Sequence, residues 1–224
     1  MNKSIVIAID GPSASGKSTN AKLVAKALEF VYVDTGAMYR TLAWYCRQKA
    51  VDIQDPKAVA TACKRWKTTL QCIDGQARLT VDGYYPEKEI RTKETSADVA
   101  HVAAVPKVRD WMKHKQRECL AFGSLVMEGR DIGSNVFPET EFKFYIDASL
   151  DERSKRRAAE GVHENLAERD QRDSQRAAAP LMIPLGAFFV NTSGQTPAQS
   201  SGLIIEEMRR RLPQNRSAPP ACTT

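Results

Sequence analysis

The stretch "SIVIAIDGPSASGKST", residues 4–19, decides the fold. Its first part, residues 4–9, is an unbroken apolar run, the kind of strand a parallel sheet buries on both faces. Gly11, Pro12, Ser13, Ala14, Ser15, Gly16, Lys17 and Ser18 then fit the pattern Gly-x4-Gly-Lys-Ser in full, with Thr19 behind them. In such a loop the backbone N–H groups converge on phosphate oxygens, and the positive end of the following helix adds to the attraction. Glycine lets the backbone approach the anion with no Cβ in the way. Lys17 has the reach for the outer phosphates of a nucleoside triphosphate, and the Ser18 hydroxyl suits Mg²⁺.

Working outward, residues 18–30 place Leu23 with Ala27 and Val24 with Leu28 at helical spacing. "VYV", residues 31–33, reads as a second short strand, and "DTGAMYRTLAWYCRQ", residues 34–48, as a second helix. Strand, loop, helix and strand in that order predict an α/β fold of the P-loop NTPase type, with a parallel sheet flanked by helices. The middle of the chain changes character. "KTTLQCIDGQARLTVDG", residues 67–83, has two β-rich runs around Asp74-Gly75, a hairpin signal that predicts an inserted antiparallel subdomain.

The α/β pattern returns at Pro106, a residue suited to the first turn of a helix, with Val108, Trp111, Met112, Cys119 and Phe122 near one face. "SLVME" (residues 124–128) and "FKFYID" (residues 142–147) follow as strands, and residues 151–176 are dense in charge. Thr196, Pro197 and Gln199 make a capping-box start for a last helix striped by Ile204, Met208 and Leu212. The expected organisation is one domain over residues 1–212. Its core takes about 1–35, 101–150 and 177–212, the insert about 36–100 and a short helical lid about 151–176. Residues 213–224 carry no core-forming pattern and are expected to be disordered.

Composition narrows the class. The 224 residues are 42% hydrophobic and 27% charged, as in ordinary globular domains. No apolar run nears the roughly 20 residues that span a bilayer, so a cytoplasmic chain with no membrane partner is expected. Five cysteines without a C-x-x-C pair argue against a disulfide framework or zinc site, and the three histidines show no ligand spacing. A net charge of +6 suits small anionic substrates as well as nucleic acid, but no nucleic-acid-binding motif accompanies it.

The loop names a nucleotide, not a reaction. No Asn-Lys-x-Asp base reader of a GTPase is present, and "SGQ" at residues 193–195 is not a transporter signature. What remains is a small-molecule kinase or a phosphate-binding regulator. An alcohol acceptor calls for a carboxylate base, whereas a nucleoside monophosphate is nearly a dianion at neutral pH and needs none. Its obstacle is repulsion between phosphates, so positive charge must flank the transferring group. Arg40, Arg109, Arg130, Arg169, Arg172 and Arg176 stand beside polar or turn-like motifs, and Arg gives a permanently charged planar fork. Arg153, Arg156 and Arg157 lie on adjoining parts of one predicted helix that would close over ATP.

Taken together, "IAIDGPSASGKST", "VDTGAMYR", "EIRT", "VPKVRD", "MEGRDIGSNVFPET" and "ERDQRDSQRAAAPL" resemble the bacterial cytidylate kinase family, collinearly up to about Leu212. The resemblance implies phosphorylation of CMP and dCMP by ATP with Mg²⁺, in a monomer. It assigns residues 11–19 to ATP, Ser18 to the metal, and Lys17, Arg130, Arg153 and Arg157 to phosphoryl transfer. Thr35, Arg40, Arg130 and Arg176 would hold the acceptor phosphate. Arg109 and Asp131 would read cytosine, and Arg169 and Asp173 would meet the sugar. A kinase for UMP or AMP, or a non-catalytic nucleotide or nucleic-acid binder, is the alternative. Three positions depart from the pattern: Ala100 stands where some family members have a serine near the base, Asn191 where related chains tend to have an aspartate, and Glu29 where a helix end favours glycine.

Overall fold

The computed structural model describes residues 4–161, 165–176 and 178–212; residues 213–224, expected to be disordered, lie outside them. In chain order the elements are β1 (Val6–Asp10), α1 (Lys17–Leu28), β2 (Val31–Asp34), α2 (Thr35–Gln48), α3 (Pro56–Arg65), β3 (Thr68–Ile73), β4 (Gln76–Val81), α4 (Lys93–Ala104), α5 (Pro106–Glu118), β5 (Leu125–Gly129), β6 (Phe142–Asp147), α6 (Leu150–Ala159), α7 (Leu166–Ser174), β7 (Phe188–Asn191) and α8 (Pro197–Arg211). The chain divides into two compact units, one of residues 1–32 and 122–224 and the other of residues 33–121.

In the first unit β1 is the central strand. It pairs in parallel with β5 on one side and β6 on the other, and β7 extends the sheet in parallel beyond β6. The start of β2 is tied to the turn before β5 by the Val31 N–H, which donates to the Ser124 carbonyl at 2.9 Å. All five residues of β1 and of β5 are buried, which accounts for their unbroken apolar character. Ile7, Ile9, Val126, Phe144 and Ile146 from the sheet pack with Val24 of α1 and Ile204 and Met208 of α8. The α8 start forms the expected capping box, Thr196 with Gln199. Two of its features were absent from the sequence reading: β7, and a π-type turn at Ile132–Val136.

The second unit holds the expected hairpin. β3 and β4 pair antiparallel, and the turn residues Asp74 and Gly75 have φ of 51° and 69°, the positive values of a type I′ turn. The unit spans more than residues 36–100, because α5 and its Pro106 start belong to it. That helix ends at Glu118, and residues 119–122 continue as a 3-10 turn. Tyr45, Trp66 and Trp111 form a chain of tilted rings 5.8 and 4.9 Å apart, beside the buried Leu42, Val59 and Met112. Burial pushes the thiols of Cys46, Cys63 and Cys119 up, to about 11, about 12 and about 12. They are inert fillers at neutral pH.

Candidate active site

The loop after β1 is shaped by two glycines. A Cβ on Gly11 would stand 2.0 Å from the Ile146 carbonyl oxygen, so no other residue fits that approach. Gly16 enters α1 with φ of 92°, in the left-handed region, and no side chain caps the helix. No acidic residue occupies the first turn of α1 either. The helix start thus offers N–H groups and a positive dipole end to an anion. The loop is held from outside: the Thr192 hydroxyl donates to the Ser15 carbonyl at 2.8 Å, and Asn20 Nδ2 to that of Gly16 at 2.9 Å. Ser18 and Thr19 face solvent.

Lys17 is buried, and its Nζ donates to the Pro12 carbonyl. Burial pulls its ammonium well below the ordinary lysine range. The nearby Arg130 and Arg169 push it further the same way, against the pull of Glu128 and Asp10. A polyphosphate beside the ammonium would favour the charged form again.

Three arginines of α6 lie over the same loop. Arg153 is buried and donates to Asp170 Oδ2 at 2.6 Å and to the carbonyls of Ala148 (3.0 Å) and Ser13 (3.3 Å). Arg156 donates to the Thr192 carbonyl and hydroxyl at 2.8 and 3.0 Å and to the Ala14 carbonyl at 3.3 Å. Arg157 reaches the Ser13 hydroxyl at 2.9 Å and pairs with Glu160 at 2.7 Å.

From the other side of the loop, Arg130 follows β5 and donates through Nε to Asp173 Oδ2 at 2.9 Å. Arg176 donates to the other oxygen of the same carboxylate. Burial pushes the Asp173 carboxyl up, but Arg130 and Arg176 more than offset this and hold it below the usual range. The buried Asp131 accepts from Asn135 Nδ2 at 2.9 Å.

The second unit carries its own cationic group. Asp34 caps α2 by accepting from the Ala37 N–H at 2.8 Å, and it pairs with Arg40 at 3.2 Å and Arg91 at 2.8 Å. Burial raises the Asp34 carboxyl, and the two guanidiniums overcome that and hold it low. Thr35 is buried at the first position of α2. A Cβ on Gly36 would lie 3.2 and 3.3 Å from the Arg40 guanidinium nitrogens, so its absence makes room for that side chain. Arg109 is buried, donates weakly to the Ala103 carbonyl at 3.4 Å and stands 5.8 Å over the Tyr39 ring.

Of the residues singled out in the sequence, Lys17, Arg130, Asp131, Arg153, Arg157, Arg169, Asp173 and Arg176 belong to the first unit; Thr35, Arg40 and Arg109 belong to the second. The sequence reading missed Asp10, Glu128 and Asp170 in the first unit and the Asp34–Arg91 pair in the second. Asp10 stands directly before the glycine loop, and Arg91 lies inside "EIRT", so position was the available signal. Asn191 closes β7, and its Oδ1 accepts from the Ser193 N–H at 2.9 Å.

A parallel sheet whose central strand feeds a glycine loop, a buried lysine and a crowd of guanidiniums defines a P-loop protein built to handle phosphate groups. More particularly, the chain belongs to the cytidylate kinase family, whose profile matches residues 7–210. A cytidylate kinase of Anoxybacillus flavithermus is 41% identical over 204 residues, covering 86% of this chain and 91% of its own length. Those of Caldanaerobacter subterraneus and Geobacillus sp. are each 37% identical, covering 94% and 95% of this chain and 97% and 100% of their own.

Proposed function

We propose that this enzyme transfers the terminal phosphoryl group of ATP to CMP and dCMP, giving CDP and dCDP. The observation that carries the reading is the buried Lys17 at the uncapped start of α1, behind a glycine loop that Arg153, Arg156 and Arg157 all contact. Gly11 to Thr19 cradle ATP. Lys17, Arg130, Arg153 and Arg157 stabilise charge on the phosphoryl group in flight, and need no general base because the acceptor is already anionic.

On the acceptor side, Thr35, Arg40, Arg130 and Arg176 hold the monophosphate, and Arg169 and Asp173 hold the sugar. Arg109 and Asp131 read the base. A carboxylate suits the exocyclic amine of cytosine, and facing the carbonyl of uracil it would stay unpaired at a cost. Ala100, half-buried on α4, takes the place of a serine hydroxyl, so base reading leans on Asp131 and Arg109.

Mg²⁺ is the expected cofactor, held through the Ser18 hydroxyl. Among the described residues no group of three or more His, Cys, Asp or Glu could cage a metal. A site of one hydroxyl plus nucleotide oxygens and water suits Mg²⁺, which keeps much of its hydration. Bound there, it neutralises phosphate charge. The reading includes a monomeric cytoplasmic enzyme whose net charge of +6 serves small anions rather than nucleic acid. No helix among the described residues is long and apolar enough to cross a membrane.

The test is ADP release from ATP and Mg²⁺ with CMP, dCMP, UMP and AMP as separate acceptors, and Lys17→Ala as the blank. Turnover with CMP and dCMP alone, lost in the variant, is the expected result. Equal turnover with UMP would remove Asp131 as base reader. No turnover in a folded sample that binds ATP would leave only a nucleotide sensor.

A further inference from the structure

Asp10 is fully buried, carries a carboxylate and has no part in the chemistry described above. It ends β1, level with Gly129 of β5 on one side and Tyr145 of β6 on the other. Oδ1 accepts from the Ile132 N–H at 2.8 Å and Oδ2 from the Gly133 N–H at 2.7 Å. Those two amides open the π-type turn Ile132–Val136, and the bonds inside the turn start later: Asn135 and Val136 donate back to the Asp131 carbonyl at 2.9 and 3.1 Å. The first N–H groups of such a turn have no partner within it. Asp10 supplies both partners from a strand more than a hundred residues away, and the two residues before the turn are Asp131 and Arg130.

We propose that Asp10 is a positioning residue: by holding the amides of Ile132 and Gly133 it fixes Arg130 and Asp131 against the glycine loop that begins at Gly11. The inference rests on the phosphotransfer reading, in which Arg130 meets phosphate and Asp131 meets the base. One carboxylate thereby sets the aim of two acceptor-side groups. Gly133 has no slack to adjust by itself, since a Cβ there would stand 3.1 Å from Pro184 and 3.2 Å from Lys143.

The ionisation of Asp10 bears on this hold. The groups that face it are Lys17 at the start of α1, Asp131 before the turn, and Tyr145 on β6. Burial pushes the carboxyl up, to about 7, with Asp131 adding to the rise, while the two amide bonds and Lys17 oppose it. The ionised group accepts from both amides. A protonated one turns an O–H toward one of them and loses that bond.

The experiment uses the whole chain and Asp10→Asn, which keeps the shape and one acceptor but sets an NH₂ against the other amide. Without nucleotide, hydrogen-exchange protection of the Ile132 and Gly133 amides should fall about tenfold relative to the β5 amides, the loss expected for one charge-assisted bond. In turnover, KM for CMP should rise about tenfold with KM for ATP changed less than about twofold. CMP itself titrates near pH 6, so the pH readout is the ratio of wild-type to variant kcat/KM for CMP. That ratio should grow from pH 6 to pH 8.

Unchanged protection, equal changes in both KM values, or a ratio flat with pH would each overturn the proposal. If Asp10→Asn does not fold, the wild type decides alone. Protection at Ile132 and Gly133, relative to the β5 amides, should be lower at pH 6 than at pH 8, and equal protection would overturn it. A wild type that does not phosphorylate CMP would sink the functional reading and leave the exchange result standing.

Discussion

Asp173→Asn isolates the charge that holds Arg130 and Arg176 in place. The side chain is 9% exposed and its partners Arg130 and Arg176 are 19% and 17% exposed, so the pairs are largely screened from water. Removing one partner of a buried ion pair costs about 3–5 kcal/mol, and the residual exposure here argues for the lower end, about 3 kcal/mol. For a chain of this size that is a drop in Tm of about 6–12 °C. The variant leaves Arg130 and Arg176 without the carboxylate they share. An anion can take its place, so inorganic phosphate should raise the variant's Tm more than the wild type's. Phosphate is the right probe because it makes no use of a sugar contact at Asp173. The pH dependence has a definite sign. The folded-state pKa of Asp173 lies below its unfolded value, so its contribution is present above about pH 4 and is lost as pH falls through the folded value. The gap between wild type and variant should therefore close in acid. A variant Tm within about 2 °C of wild type at pH 7, which corresponds to under about 1 kcal/mol, would refute the reasoning. So would an equal phosphate shift in both proteins.

Two further predictions follow from single side chains. Glu29 ends α1 with φ of 55° and ψ of 38°, while the Phe30 N–H closes onto the Ala25 carbonyl at 2.9 Å. Left-handed backbone costs an L-residue about 1–2 kcal/mol, and glycine returns about 0.4–1 kcal/mol of that through the unfolded chain. Glu29→Gly should thus gain about 0.5–1 kcal/mol in urea unfolding with activity unchanged. Glu29→Ala, which keeps the Cβ, should gain nothing; loss of stability in the glycine variant would contradict the strain. Arg153→Ala and Arg157→Ala should both slow transfer but differ in stability. The first leaves Asp170 without its 2.6 Å partner and should lower stability by about 2–3 kcal/mol. The second should cut kcat by about 100-fold or more, as expected for a donor to transition-state charge, with Tm within about 2 °C. Equal losses of Tm in the two variants would refute the structural weight given to the Arg153–Asp170 pair.

The glycine loop, the strands around it and the Asp74-Gly75 hairpin were legible because each rests on local chemistry. Burial on both faces writes an unbroken apolar run, and positive φ writes Asp-Gly. The π-type turn was not legible, since nothing in "DIGSNV" distinguishes it: its amides are satisfied by Asp10 at the far end of the chain. β7 escaped for a related reason. It has four residues, a single neighbouring strand in the parallel sheet of the first unit, and Phe189 half-exposed, so neither periodicity nor burial marks it. α3 carried its signal in Asp55-Pro56, an N-cap followed by a first-turn proline, but has few apolar residues to complete a pattern. The arginines of the site were visible as residue types. Their partners were not, because a carboxylate's role as counter-charge depends on distance alone.

Those partners explain how closely set guanidiniums stay ordered within each unit. Asp173 holds Arg130 and Arg176, and Asp34 holds Arg40 and Arg91; each carboxylate serves two guanidiniums. Each carboxylate thereby orders the two guanidiniums it touches. Without one, the arginines would repel one another across a few ångströms, and they would swing into water. With one, a phosphate dianion meets donors already in place, so little side-chain ordering remains to be done on binding. Lys17 is poised more sharply still. Burial holds its ammonium well below the ordinary lysine range, and a phosphate beside it would favour the charged form, so the lysine's charge and the anion's support each other.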